Sequence, residues 1–157
     1  MNPKEKLLWS IALPGFGQLL NGKYLKGIIF ISLEFLINGQ SHFNELILLS
    51  FIGEIERAID KTEYQWLMFY PCVYFFAMWD SFKDAGGGKE PYSFLPFVLC
   101  AFFVTVGLIY SAKVKLFGFS LGTVWFPMLC VIPGVVIGIV LKALLKKAKF
   151  FSKSVQD

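Results

Sequence analysis

The stretch Pro14-Gly15-Phe16-Gly17-Gln18-Leu19-Leu20-Asn21-Gly22, with Lys26-Gly27 shortly after it, constrains the fold of this chain more than any other feature. It is a polar, turn-rich insertion between two apolar runs. Lipid supplies no hydrogen bonds, so irregular backbone in a membrane protein must sit at the interface, in a hairpin tip or against other helices. The insertion therefore marks a tight re-entry or a short hairpin at a membrane edge.

The membrane setting comes from composition. The 157 residues are 56% hydrophobic and only 17% charged, against about 25% charged in soluble domains. The apolar residues lie in long runs rather than in amphipathic stripes. A net charge of +4 does not point to nucleic acid. The lysines flank apolar segments and fill the stretch from Lys142 to Lys153, as the positive-inside rule expects, and no basic face with interleaved aromatics accompanies them. Cys72, Cys100 and Cys130 each fall in a different apolar run. They read as small buried apolar residues, with a disulfide at mid-membrane depth as the alternative. No close Cys or His pair suggests a metal, and no cofactor is implied. Residues 1–6 followed by the apolar 7–20 have the charge order of a signal peptide but lack a small-x-small cleavage site, so the segment is expected to be retained.

These patterns predict an all-α polytopic membrane bundle forming a single membrane domain over 1–157, with five hydrophobic segments making four or five crossings. The first, 7–20, is short or re-entrant. The others are 24–38; 64–79, aromatic-rich and kinked at Pro71; 94–110, with Pro96 near its entry; and 121–141. Residues 43–60 predict an amphipathic helix on the outer surface, because Phe43, Leu46, Ile47, Phe51, Ile55 and Ile59 recur at helical spacing. Residues 142–157 form a basic tail, which places the C-terminus in the cytoplasm. Counting back puts 111–120 outside, 81–93 inside, 40–63 outside and 21–26 inside. The side of the N-terminus depends on whether 7–20 crosses or turns back, and Lys4 and Lys6 favour turning back.

Pro14-Gly15-Phe16-Gly17-Gln18-x-x-Asn21-Gly22-x-x-x-Lys26-Gly27, followed by an apolar helix, resembles the TM2-domain-like proteins of bacteria, and Trp79-Asp80 resembles the Trp-Asp ending of that domain. The resemblance covers roughly the first forty residues and that dipeptide. The chain departs from the pattern at Leu20, where an aromatic is usual, and in the acidic insertion over 40–63. The likeness implies a small multi-pass bacterial membrane protein whose turn residues Pro14, Gly15, Gly17, Gln18, Asn21, Gly22 and Gly27 define the fold. It implies no particular catalytic activity.

Several polar groups invite a functional reading. Glu34 lies within the apolar run 28–37, where a charged carboxylate at mid-bilayer costs about 2.5–3.5 kcal/mol. Such a group is paired, protonated or beside a wet path. Glu34, Asn38 and His42 recur at i, i+4 and i+8, so a continuous helix would put them on one face as an ion or proton site. A simple polar cluster at a helix end is the alternative. Asp80 and Asp84 stand one helical turn apart, with Lys23 and Lys26 expected on the same membrane side, which predicts an ion-pair cluster tying the first turn to the third segment. Gly86-Gly87-Gly88-Lys89 lacks the spacing of a phosphate loop and reads as a flexible linker. Gly134-x-x-x-Gly138 is a small-residue pattern for close helix packing, within the chain or against a partner.

No nucleophile–base set can be assembled, so the chain is not expected to be an enzyme. The expected role is an accessory or structural subunit of a membrane assembly, meeting lipid and either a second copy or another membrane protein. A small oligomeric channel or transporter using Glu34 is the alternative, and a membrane enzyme the weaker one.

Overall fold

The computed structural model describes residues 2–116 and 118–154, with side chains described as far as residue 149. Its helices are α1 (Pro3–Ala12), α2 (Phe16–Leu20), α3 (Tyr24–Ser41), α4 (Phe43–Phe51), α5 (Ile55–Asp60), α6 (Tyr64–Leu67), α7 (Phe69–Asp84), α8 (Leu95–Tyr110) and α9 (Gly122–Ser154). A two-stranded antiparallel ribbon, β1 (Lys115–Leu116) and β2 (Phe119–Ser120), joins α8 to α9.

The chain is mainly α-helical as expected, but the four or five crossings are not found. Among the described residues one helix, Gly122–Lys149 within α9, is long and apolar enough to cross a membrane. The other apolar runs are broken by the chemistry inside them. Residues 7–20 do not form one segment. The α1 helix starts at Pro3, capped by Asn2, whose N–H donates to the Glu5 carboxylate and whose side-chain oxygen accepts from the Lys4 N–H, and Pro14-Gly15 ends it. Its ten residues reach only about 15 Å. In α3, Lys26, Glu34, Asn38 and Gln40 dilute the apolar run. The 64–79 segment is split at Met68 into α6 and α7. Pro71 lies in the first turn of α7, where a missing N–H costs nothing, so it helps start a helix rather than kinking one. The α8 helix is apolar, but its 16 residues span about 24 Å against a hydrocarbon core of about 30 Å.

The single amphipathic helix expected over 43–60 is also two helices. Gly53, at φ +84°, turns the chain between α4 and α5. At the other end α9 does not stop at residue 141: helix continues through the lysines to Ser154. Residues 155–157 of the expected tail lie outside the described residues.

Two apolar clusters hold the helices together. Leu46, Leu67, Leu108 and Val124 join α4, α6, α8 and α9. Phe75, Met78 and Cys100 join α7 to α8. The α8–α9 pair is an antiparallel hairpin packed through small residues. A Cβ on Gly134 would stand 2.7 Å from the Cys100 Cα, and one on Gly138 would stand 2.5 Å from the Pro96 Cα. The pattern read from sequence therefore serves packing within the chain. All three cysteines are free.

Candidate functional site

Two places gather the residues singled out above: a polar joint among α1, α2, α3 and α7, and an apolar cleft beside Tyr70 and Tyr74.

The joint is built by the turn motif. Pro14 ends α1, and Gly15 starts α2 at φ +100°, a conformation that L side chains rarely adopt. A Cβ on Gly15 would also stand 2.6 Å from the Gly27 carbonyl oxygen, so α3 crosses the turn backbone to backbone. Gly17 sits between Ser10 of α1 and Ser81 of α7, and a Cβ there would meet both hydroxyls at 2.1 Å. Gly22 takes a left-handed turn at φ +72° with open space around it.

The polar side chains of the motif then bond to the last turns of α7. Gln18, fully buried, donates through Nε2 to the Ala77 carbonyl at 2.8 Å and to Asp80 Oδ2 at 3.1 Å. Asn21 donates to the Ser81 carbonyl at 2.9 Å and accepts from Lys6 Nζ at 2.7 Å. Lys26 Nζ reaches Asp80 Oδ1 at 2.7 Å and Asp84 Oδ2 at 2.9 Å. Hydrogen bonds to Asp80 and then to Asp84 hold the Lys26 ammonium above its ordinary value of 10.5. The expected ion-pair cluster is therefore present for Lys26, Asp80 and Asp84. Lys23 precedes α3, and its carbonyl accepts from the Gly27 N–H; it joins no ion pair among the described residues.

Glu34, Asn38 and His42 do not converge. Glu34 is buried on α3 and accepts a hydrogen bond from the Tyr70 hydroxyl at 3.1 Å. Asn38 exchanges bonds with Asn44, receiving its backbone N–H at 3.3 Å and donating to its side-chain oxygen at 3.1 Å. His42, exposed at φ 56°, is the left-handed hinge between α3 and α4. The helix runs through Gly39 but ends before His42, and that turn separates the third group from the first two. Among the described residues, no three His, Cys, Asp or Glu side chains come together.

Two features went unseen in the sequence. Glu90, in the glycine-bearing loop after α7, pairs with Lys142 at 2.9 Å and Lys146 at 3.0 Å, and these bonds draw its carboxyl down to about 2. With Gly88 packed under the Trp79 ring, the loop is held at two neighbouring points near its middle. Their spacing of one helical turn, Lys142 and Lys146, was the available signal for a shared partner. The second feature is a cleft of about 410 Å³ among α1, α4, α6, α7, α8 and α9, lined by residues including Tyr70, Tyr74, Phe75, Val104 and Val131. Its lining comes from separate parts of the chain, so no local pattern announces it.

No protein-family description, curated protein or solved structure matches the chain.

Proposed function

We propose that the protein is a small membrane-anchored accessory subunit without catalysis of its own. In this reading α9 crosses the bilayer with its lysine-bearing end in the cytoplasm, and the shorter helices form a platform beside it for another membrane protein or a second copy. The observation that carries the reading is the character of α9. Its candidate span has a mean hydropathy of 2.5, yet only 11% of that apolar window is buried within the protein. A core helix of such composition is covered by its own chain, and the bare apolar surface of this one supports a place in lipid. Residues 122–141 precede Lys142, and about 20 residues of helix match the hydrocarbon thickness. The cation-rich end then follows the positive-inside rule.

Further support comes from the platform. Leu25, Ile28 and Phe35 of α3 stand exposed, an apolar face that requires cover. Lys26, Asp80 and Asp84 of the joint are engaged with one another, which suits a structural role. The resemblance to TM2-domain-like proteins belongs to the same proposal, and its support is that the resembling residues are the ones that build the joint.

The test is extraction of cell membranes with alkaline carbonate, followed by cross-linking in the native membrane. The protein is expected to stay in the pellet, and Ile132→Arg, at about 2.5–3.5 kcal/mol for an arginine at mid-span, is expected to lower the inserted fraction. A cross-linked partner in fixed proportion is expected. Release into the carbonate supernatant overturns the anchor; an exclusively monomeric species overturns the accessory role.

A further inference from the structure

We infer that the cleft beside Tyr70 and Tyr74 binds an apolar organic cation, a quaternary ammonium or phosphonium, held by an aromatic wall with Glu34 as its counter-charge. The site does not depend on α9 crossing a bilayer. The cavity, about 410 Å³, falls within the roughly 300–1,000 Å³ of small-molecule sites. Ile11, Phe51 and Met128 line it and are 45%, 66% and 57% exposed, so a guest can reach it from outside.

One part of the lining is a continuous run of rings. Between centroids, Phe43 lies 4.7 Å from Tyr70, Tyr70 lies 5.6 Å from Tyr74, and Tyr74 lies 5.5 Å from Phe75. All four line the cleft. Such rings attract a cation through their quadrupoles, and more strongly where water is excluded. An ammonium bearing N–H groups would exchange its water for an almost wholly apolar lining. A quaternary ammonium or phosphonium, its charge shielded by carbon, gives up less. Both tyrosine hydroxyls donate to the protein itself, Tyr70 to Glu34 and Tyr74 to the Ile11 carbonyl at 2.6 Å, so neither offers a proton to an anion.

Glu34 supplies the charge. It is buried, accepts from the Tyr70 hydroxyl at 3.1 Å, and has no cationic side chain within ion-pair distance among the described residues. A buried carboxylate without a counter-charge is costly, and a cation against the Tyr70 ring provides one. Burial first, and then the charge of Glu34, push both phenols up, Tyr74 to about 12. The field of the carboxylate therefore reaches two rings of the wall. No charged residue lines the cleft itself. Beyond it, residues 43–63 carry Glu45, Glu54, Glu56, Asp60 and Glu63 with Arg57 and Lys61, and residues 111–121 carry Lys113 and Lys115. Those outlying charges nearly cancel, which leaves Glu34 to set the sign.

The test is equilibrium dialysis of the full chain in dodecylmaltoside micelles against radiolabelled tetraphenylphosphonium, with protein-free micelles subtracted. It is repeated separately with tetraphenylborate, an ion of like size and shape but opposite charge. Saturable binding of the phosphonium is expected, and none of the borate. Glu34→Gln keeps the side-chain shape and an acceptor for Tyr70, and is expected to weaken phosphonium binding about tenfold or more. Phe43→Leu, which removes a ring but not the apolar bulk, is expected to weaken it about threefold. Val131→Trp, which fills the cleft, is expected to abolish binding with wild-type helix content by circular dichroism; should it lose that content, the other two variants decide. Equal saturable binding of both ions overturns the preference for a cation. Phosphonium binding unmoved by Glu34→Gln overturns Glu34 as the counter-charge. Binding retained in folded Val131→Trp, or no saturable phosphonium binding to wild type, overturns the cleft as the site.

Discussion

The polar joint at α1–α3 and the α8–α9 hairpin both bring helix backbones together through glycine, and they secure the contact differently. At the joint, Gly15 and Gly17 admit the approach, and Gln18, Asn21 and Lys26 then bond to carbonyls and carboxylates of α7. In the hairpin, Gly134 and Gly138 lie against Cys100 and Pro96 with apolar contact on either side. An irregular turn leaves backbone groups that need partners, so the joint must bring polar side chains with it. Two regular helices satisfy their own backbones, so the hairpin needs only small residues.

The comparison is most exposed to failure at Gly15. Gly15→Ala combines a left-handed conformation with overlap on the Gly27 carbonyl, and is expected to cost about 2–4 kcal/mol, read from denaturant unfolding in mild detergent. An unchanged midpoint would mean the joint yields freely there. Gln18→Ala removes one buried and one half-buried bond and is expected to cost about 1–3 kcal/mol. Gly138→Ala meets the Pro96 backbone, but alanine favours helix over glycine by about 1 kcal/mol, so the net loss is expected at about 1–2 kcal/mol. If Gly138→Ala proves costlier than Gly15→Ala, the hairpin and not the joint is the less forgiving contact.

Charge effects are smaller. Lys26 is 45% exposed, so Lys26→Met is expected to cost about 0–1 kcal/mol. Because its folded pKa is raised, this stabilisation is complete below the unfolded value of 10.5 and is lost as pH rises through the folded value. A wild-type stability profile that stays parallel to that of Lys26→Met throughout the alkaline range would remove Lys26 as a contributor. Glu90 is displaced the other way, from 4.5 to about 2. Its link to Lys142 and Lys146 should persist above pH 4.5 and loosen as pH falls toward 2. Amide protection in residues 85–93, taken relative to the intrinsic exchange rate at each pH, is expected to fall across that window in wild type and to lose that change in Glu90→Gln.

Local patterns foretold much of this. Pro14-Gly15 and Asn21-Gly22 announced turns, the pairing of Lys26 with Asp80 and Asp84 followed from helical spacing and a shared end, and Gly134-x-x-x-Gly138 announced close packing. Hydropathy misled over the number of spans. It averages over a run and does not register the break at Met68, the first-turn position of Pro71 or the short reach of α8. The stripe Glu34, Asn38, His42 failed for a similar reason: its spacing assumed a helix that the left-handed turn at His42 ends.

By itself, the sequence determined the helical character of the chain, the apolar stretch of α9 with its lysine end, and the placing of small residues wherever backbones had to meet. Those follow from side-chain volume, propensity and hydropathy along a local window. Tertiary structure alone decided which hydroxyl faces Glu34, that Glu90 reaches α9, and that α1, α4, α6, α7, α8 and α9 leave a cleft between them. These depend on the packing of residues far apart in the chain, and no window along the sequence holds both partners at once.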